Sequence, residues 1–396
     1  MSKTVFLVAD GMAGWPLDTL GGRTTLQAAC TPTLDFLASK SSIGRCQTVP
    51  EGMPPGSDVA NMSLLGYDPR AHHTGRGPIE AAAQGLELDP DDLVWRMNLV
   101  NLTELSQRGV MRDYSSGHID TATAAPLVAR LAEMAANGPF KPVQGIQYRH
   151  LLVQSGGART EAAAISVRPP HDILDQNITQ DLESFAAIPE LMSFLRQAHE
   201  FLRLDASSQA TSVWPWGQGR PLTLPAFAER FGLRGAVVSA VDLVKGLGRA
   251  AGMDVLDVEG VTGLIDTNYE GKVQAALEFL QRGDFVYVHV EAPDECGHMG
   301  DAQLKKRAIE LFDQRIVAPV LAALQGQDAT IVVTCDHYTP VVRRTHTRDA
   351  VPFLIHRTRS ARTGGPAAFD ENTAREAGLF LPEGRDLLPF CLGPDA

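Results

Sequence analysis

Four segments of this chain place aspartate and histidine where a run of apolar residues ends. Asp10 closes Val5-Phe6-Leu7-Val8-Ala9. Asp294 and His298 follow the run that ends at Val290, and their spacing of four puts them on one face of a helical turn. Asp336 and His337 follow the run that ends near Thr334, and His346 stands nine residues further on. Carboxylates mixed with imidazoles suit Zn²⁺ or Mn²⁺ better than the all-oxygen cage of Ca²⁺. Six such ligands exceed one tetrahedral site and fit two sites that share a wall. A pair of ions ~3.5–4 Å apart serves hydrolysis or group transfer and wants a nucleophile beside it. Ser57, after Pro54-Pro55-Gly56 and before the apolar run Val59 to Leu65, could be that nucleophile. At a helix start, backbone N–H groups would face a phosphoryl group on its oxygen. The same serine also reads as a simple helix cap, and one Asp-His pair after a strand is commonly a turn. The recurrence in four segments is what favours metal chemistry.

These residues need a scaffold that brings distant strand ends together. Val5 to Ala9, Gly235 to Ser239, Asp284 to Val290 and Ala329 to Thr334 read as strands buried on both faces. Thr31 to Ala38, Val241 to Ala251 and a long stretch from Ala302 to Leu324 read as helices. Strand, helix, strand is the grammar of a doubly wound α/β sheet, whose ligands converge at the carboxyl ends of its strands. Residues 76–224 are less regular. There Arg149 to Val153 and Ala163 to Val167 read as strands, and Gly156-Gly157, Pro169-Pro170 and Trp214-Pro215-Trp216-Gly217 as turns. This pattern predicts a discontinuous sheet domain, 1–75 with 225–396, carrying an inserted α+β cap domain at 76–224.

Composition narrows the class. The 396 residues hold 35 Lys+Arg against 47 Asp+Glu, a net charge of −12, with 44% hydrophobic and 21% charged residues. An acidic chain without a basic tract is a poor partner for nucleic acid or an anionic membrane, and no apolar run reaches the ~20 residues of a membrane span. Met1-Ser2-Lys3 leads directly into a short apolar run with no signal-peptide character. The five cysteines form no CxxC pair. A reduced, cytoplasmic globular protein is expected; oligomeric state is left open.

Five motifs carry a resemblance. Asp10-Gly11-Met12, Thr48 to Asn61, Thr74-Gly75-Arg76-Gly77-Pro78-Ile79-Glu80-Ala81, Val290 to His298, and Cys335-Asp336-His337 with Thr345-His346-Thr347 resemble the archaeal-type, cofactor-independent phosphoglycerate mutases of the alkaline phosphatase superfamily. The resemblance runs nearly end to end. It implies an alkaline-phosphatase-like sheet domain and a metal-dependent phosphomutase, with a phosphorylated Ser57 as intermediate between 2- and 3-phosphoglycerate. It further implies one metal on Asp10, Ser57, Asp336 and His337, and another on Asp294, His298 and His346. The ions would be Mn²⁺ or Zn²⁺, with Mg²⁺ admitted. Val213 to Gly219 and Asp266 to Lys272 are similar to a bacterial branch described as a proposed homoserine kinase, which makes a homoserine-kinase-like phosphotransferase the alternative.

A small phosphorylated carboxylate needs a local positive pocket despite the acidic total. Arg76 in its Gly-Arg-Gly turn, Arg96 and Arg149 beside apolar runs of the cap, and His118 in Ser116-Gly117-His118 are the substrate-binding candidates. Arg96 and Arg149 are the pair expected to fork onto a carboxylate. Lys245, a cation on an apolar helix, resembles by position the family lysine that faces the transferring phosphoryl group. Gly246-Leu247-Gly248-Arg249-Ala250-Ala251 fits a dinucleotide fingerprint, but it lies inside the expected helix instead of the turn after a strand. Its glycines are expected to be helix-packing positions.

Overall fold

The computed structural model describes residues 2–360 and 364–393. It forms two units, one from the segments up to His73 and from Thr223 onward, the other Thr74–Leu222. In the first unit an eight-stranded sheet is built from β1 (Lys3–Ala9), β2 (Ser42–Cys46), β8 (Gly235–Val238), β9 (Asp254–Val255), β10 (Phe285–Val290), β11 (Ala329–Thr334), β12 (Val351–Arg357) and β13 (Leu379–Leu381). In the second a five-stranded sheet holds β3 (Leu93–Leu102), β4 (Met111–Asp113), β5 (Phe140–Ile146), β6 (Arg149–Gln154) and β7 (Ser212–Gly219).

The first sheet runs β13-β2-β12-β11-β1-β10-β8-β9. From β11 to β9 every pairing is parallel, and β12 is antiparallel to both its neighbours. β8, β10 and β11 are buried along their whole length, as continuous Val/Ile/Phe runs require when both faces are covered. The register fixes the site. Val8 of β1 lies opposite His289 of β10 and Thr334 of β11. Side chains alternate with period two, so Asp10 and Asp336, two residues beyond Val8 and Thr334, leave the sheet on the face that His289 shares.

In the helix Asp242–Ala250, Gly248 has the packing role expected of it: a Cβ there would stand 2.5 Å from the Val237 side chain of β8. The long stretch from Ala302 to Leu324 is helical throughout but not one α-helix. A π turn, Asp313–Val317, separates Ala302–Phe312 from Ala318–Leu324. Pro319 has no N–H to give to the carbonyl four residues earlier, and the wider turn accommodates the gap. The same turn aims Asp313 at the N–H groups of Thr33 and Leu34, at 3.2 and 2.7 Å, where the helix Pro32–Ala38 begins.

The second sheet is antiparallel, with β3 paired to both β6 and β7. Its apolar face packs with the helices Thr121–Ala135, Thr179–Ala186 and Pro189–Leu202 around Trp95, Trp214, Phe185 and Leu195. Two expectations fail here. Ala163 to Val167 is no strand: it follows a 3₁₀ turn, Glu161–Ala163, and stays outside the sheet. The Ile165 carbonyl there accepts from the Gln218 side chain at 2.6 Å instead of a ladder partner. Trp214-Pro215-Trp216-Gly217 is not a turn but the middle of β7. Pro215 is tolerated because β7 pairs only with β3 among the described residues and forms an edge. No helix of the described residues is long and apolar enough to cross a membrane.

Candidate active site

Ser57 opens the helix Ser57–Leu64, with Gly56, not the serine, in the cap position. Its Oγ is 3.0 Å from Nε2 of His337. Asn61, one turn on, donates to Asp336 Oδ2 at 2.8 Å and accepts from the hydroxyl of Tyr287 on β10 at 2.5 Å. The start of this helix is therefore tied to the strand ends on which the metal-type ligands stand. Asp336 Oδ1 accepts from the N–H of Gly11 at 3.1 Å, which locks the loops after β1 and β11 together.

Two groups of ligand atoms converge there. Asp10, His289 and Asp336, all buried, each bring one within 4.8 Å of the others; so do Asp294, His337 and His346. His337 stands between the groups, its Nε2 3.5 Å from Asp10 Oδ1 and 3.4 Å from Asp336 Oδ2. His298 joins Asp294 and His346: its Nε2 is 3.1 Å from Asp294 Oδ2 and 2.9 Å from Nε2 of His346. The expected residues Asp10, Ser57, Asp336 and His337 thus stand together, as do Asp294, His298 and His346.

The electrostatics describe a cluster short of positive charge. Burial, then the charges of Asp336 and Asp294, push the Asp10 carboxyl well above its ordinary range. Burial pushes His337 down to about 4, so its ring is neutral at pH 7 and offers lone pairs. Burial also raises Asp294, but hydrogen bonds from His298 and His346 outweigh it and hold this carboxylate well below the usual range. The hydrogen bond to Asp294 raises His298 to about 9 against the opposing effect of burial. Asp10 Oδ1 and His289 Nε2 are buried with no hydrogen-bond partner. Unsatisfied acceptors facing carboxylates at this depth fit cations, because such a group is otherwise costly to bury.

The second unit holds the remaining candidates except Lys245. Arg96 on β3 lies across from Leu151, and Arg149 across from Asn98, so both point to one face of the sheet. Arg96 stacks over Trp216 at 4.4 Å, and its Nε is 3.0 Å from Glu80 Oε1. Burial lowers the Arg96 guanidinium; Glu80 opposes this, while the charges of Arg76 and Arg149 add to it. Three arginines therefore share one neighbourhood. His118 stands beside Tyr114 and Tyr148, and Arg149 lies over Tyr148 at 5.6 Å. Lys245, on the helix Asp242–Ala250 of the first unit, pairs with Asp257 at 3.4 Å; this helix packs against the Ser57 helix.

A sequence profile described as 2,3-bisphosphoglycerate-independent phosphoglycerate mutase matches residues 38–206. A Geobacter sulfurreducens protein named probable 2,3-bisphosphoglycerate-independent phosphoglycerate mutase is 45% identical over 400 residues, 98% of this chain and 99% of that protein. The chain belongs to the 2,3-bisphosphoglycerate-independent phosphoglycerate mutase family. A family member from Methanosarcina mazei is 44% identical, again over 98% of this chain and 99% of its own. The solved cofactor-independent phosphoglycerate mutase from Thermoplasma acidophilum superposes with a TM-score of 0.65 at 26% identity, with 100% of both chains covered.

Several residues of this family member's cluster escaped the sequence reading. His289 sits inside an apolar strand; its signal was the register, one polar ring two residues short of the Asp10 and Asp336 level. His171, 5.4 Å from Trp216, is lowered by burial and by Arg96 and Arg76, with Asp172 opposing, which places it beside the arginines. Lys305 is fully buried, and its ammonium donates to the carbonyls of Gly11 at 2.6 Å, Thr339 at 2.7 Å and Ala13 at 3.2 Å. Thr339 in turn donates from its hydroxyl to Asp294. Lys305 thereby clamps the loops that carry Asp10 and Asp336-His337. Replacing it with methionine strips three carbonyls of their donor. Lys305→Met is expected to lower stability by about 3 kcal/mol, seen as a reduced urea midpoint at unchanged slope. A midpoint equal to wild type would show that the clamp carries no load.

Proposed function

We propose that this protein is a metal-dependent phosphomutase that interconverts 2- and 3-phosphoglycerate without bisphosphoglycerate, through a phosphorylated Ser57. The observation that carries this reading is the Ser57 hydroxyl, 3.0 Å from His337 among converging aspartates and histidines. The naming of the relatives supports the substrate. Asp10, Ser57, Asp336 and His337 would hold one divalent ion, and Asp294, His298 and His346 the other. Imidazole in both sets favours Mn²⁺ or Zn²⁺ over Mg²⁺. When bound, the ions supply positive charge that favours an ionised serine and offsets the charge of the transferring phosphoryl group.

The residues of the chain do the rest. Ser57 Oγ forms its bond to phosphorus as the bond from phosphorus to one glycerate oxygen breaks. Its proton is lost, and the released glycerate hydroxyl gains one. The second step reverses this at the other hydroxyl, so no cofactor or water is consumed. The first N–H groups of the Ser57 helix receive the phosphoryl oxygens, and Lys245 is the side-chain cation assigned to them. Residues 74–222 act as the substrate-binding cap, in which Arg76, Arg96 and Arg149 take the carboxylate and His118, beside Tyr114 and Tyr148, is a further substrate-binding candidate. A carboxylate gripped by a guanidinium fork keeps one orientation and stays bound between the two transfers.

Purified protein with Mn²⁺ and 3-phosphoglycerate, and no 2,3-bisphosphoglycerate, is expected to produce 2-phosphoglycerate in a phosphorus NMR time course. Ser57→Ala should lose at least about 10³-fold of this rate while keeping its fold. No conversion by wild type, with phosphohomoserine formed from homoserine and a phosphoryl donor, would move the protein to the kinase-like branch. Arg96→Ala tests the cap separately: transfer should fall more than release of inorganic phosphate, raising the hydrolysis-to-transfer ratio. Parallel loss of both activities would make Arg96 a structural residue.

A further inference from the structure

His289 has a more specific environment than a core histidine needs. Its ring is buried at the carboxyl end of β10, Nδ1 lies 3.2 Å from Glu291 Oε1, and Nε2 lies 3.3 Å from Asp10 Oδ2. Glu291 is itself over-determined. Its Oε1 accepts from the Ser239 hydroxyl and the Ala240 N–H, both at 2.8 Å, and its Oε2 takes the buried Lys272 ammonium at 2.8 Å. Burial would raise this carboxyl, but the charge of Lys272 and the hydrogen bond with His289 outweigh it and hold it far below its ordinary value. Glu291 is therefore an ionised, acceptor-only group, and the nitrogen facing it carries the proton. That tautomer leaves the Nε2 lone pair pointing at Asp10 and Asp336, and Nε2 makes no hydrogen bond although it is buried. A bare lone pair turned toward two carboxylates is repulsive unless a proton or a metal cation sits among them, and a cation answers both carboxylates and the ring at once.

We propose that His289 is a metal ligand, binding through Nε2 the ion held by Asp10 and Asp336, with Glu291 and Lys272 fixing the tautomer. The proposal rests on the metal-dependent reading above and adds to it a ligand from within the strand. A carboxylate behind a ligating histidine is a general device for orienting the ring and raising its basicity.

Calorimetric titration of the metal-free protein with Mn²⁺ tests this without any turnover. Wild type should bind two ions. His289→Gln and His289→Asn should weaken one binding step at least tenfold and leave the other unchanged. Two unaltered binding constants, whatever the change in melting temperature of the metal-free protein, would make His289 a structural strut and overturn the proposal. Should both variants fail to fold, manganese anomalous density in wild-type crystals decides. A peak bonded to Asp10 and Asp336 is expected roughly 2.1 Å from His289 Nε2, and a peak beyond about 3 Å contradicts ligation. Wild type that binds no divalent ion would remove the metal reading itself, an outcome distinct from unchanged affinity in the variants.

Discussion

Three aspartates buried at the ends of adjacent strands are the constraint on which the rest of this structure turns. Asp10, Asp294 and Asp336 are brought together because β1 is flanked in parallel register by β10 and β11. Like charges at such depth cannot all ionise without compensation. Burial first, and then the charges of Asp336 and Asp294, raise the Asp10 carboxyl. Much of the local architecture supplies partial compensation: the Gly11 N–H and Asn61 amide on Asp336, the Thr339 hydroxyl on Asp294, and histidines beside all three. What remains is two groups of converging lone pairs, on Asp10, His289 and Asp336 and on Asp294, His337 and His346.

The same constraint bears on two buried lysines whose ammonium groups bond to other partners than the aspartates. Lys305 binds three backbone carbonyls, and Lys272 binds Glu291 and the His289 carbonyl. Neither ammonium is placed to neutralise the aspartate cluster by contact. Each instead orients a segment that carries residues of the cluster, so the central negative charge is left without a lysine partner. Ser57 gains its position by the same route, since its helix is fastened to Asp336 and Tyr287 through Asn61.

The cluster of aspartates and histidines was legible because its members sit where strands end, and strand ends are marked by a change from apolar to polar residues. Asp10, Asp336 and His337 needed no tertiary information beyond that change. His289 was hidden because a histidine within an apolar strand shows its direction only once the register of β1 against β10 is known. The cap was read less well. Trp214 to Gly217 carries the residues of a turn, yet pairing with β3 and burial of both tryptophans override that local signal. Ala163 to Val167 has an apolar, partly β-branched pattern, but its first N–H groups close a 3₁₀ turn and the Ile165 carbonyl takes the Gln218 amide, so no strand forms. The π turn before Pro319 was readable in principle from the proline, which the regular apolar spacing around it obscured.

In the proposed reaction the phosphoryl group passes through the serine at the start of the helix Ser57–Leu64. Acid-quenching the Mn²⁺-loaded enzyme during turnover of 3-phosphoglycerate, followed by peptide mass spectrometry, measures this directly. One phosphoryl group, located on Ser57, is expected. A phosphoryl group on another residue, or unmodified Ser57 in every sample taken while 2-phosphoglycerate is being formed, would contradict it.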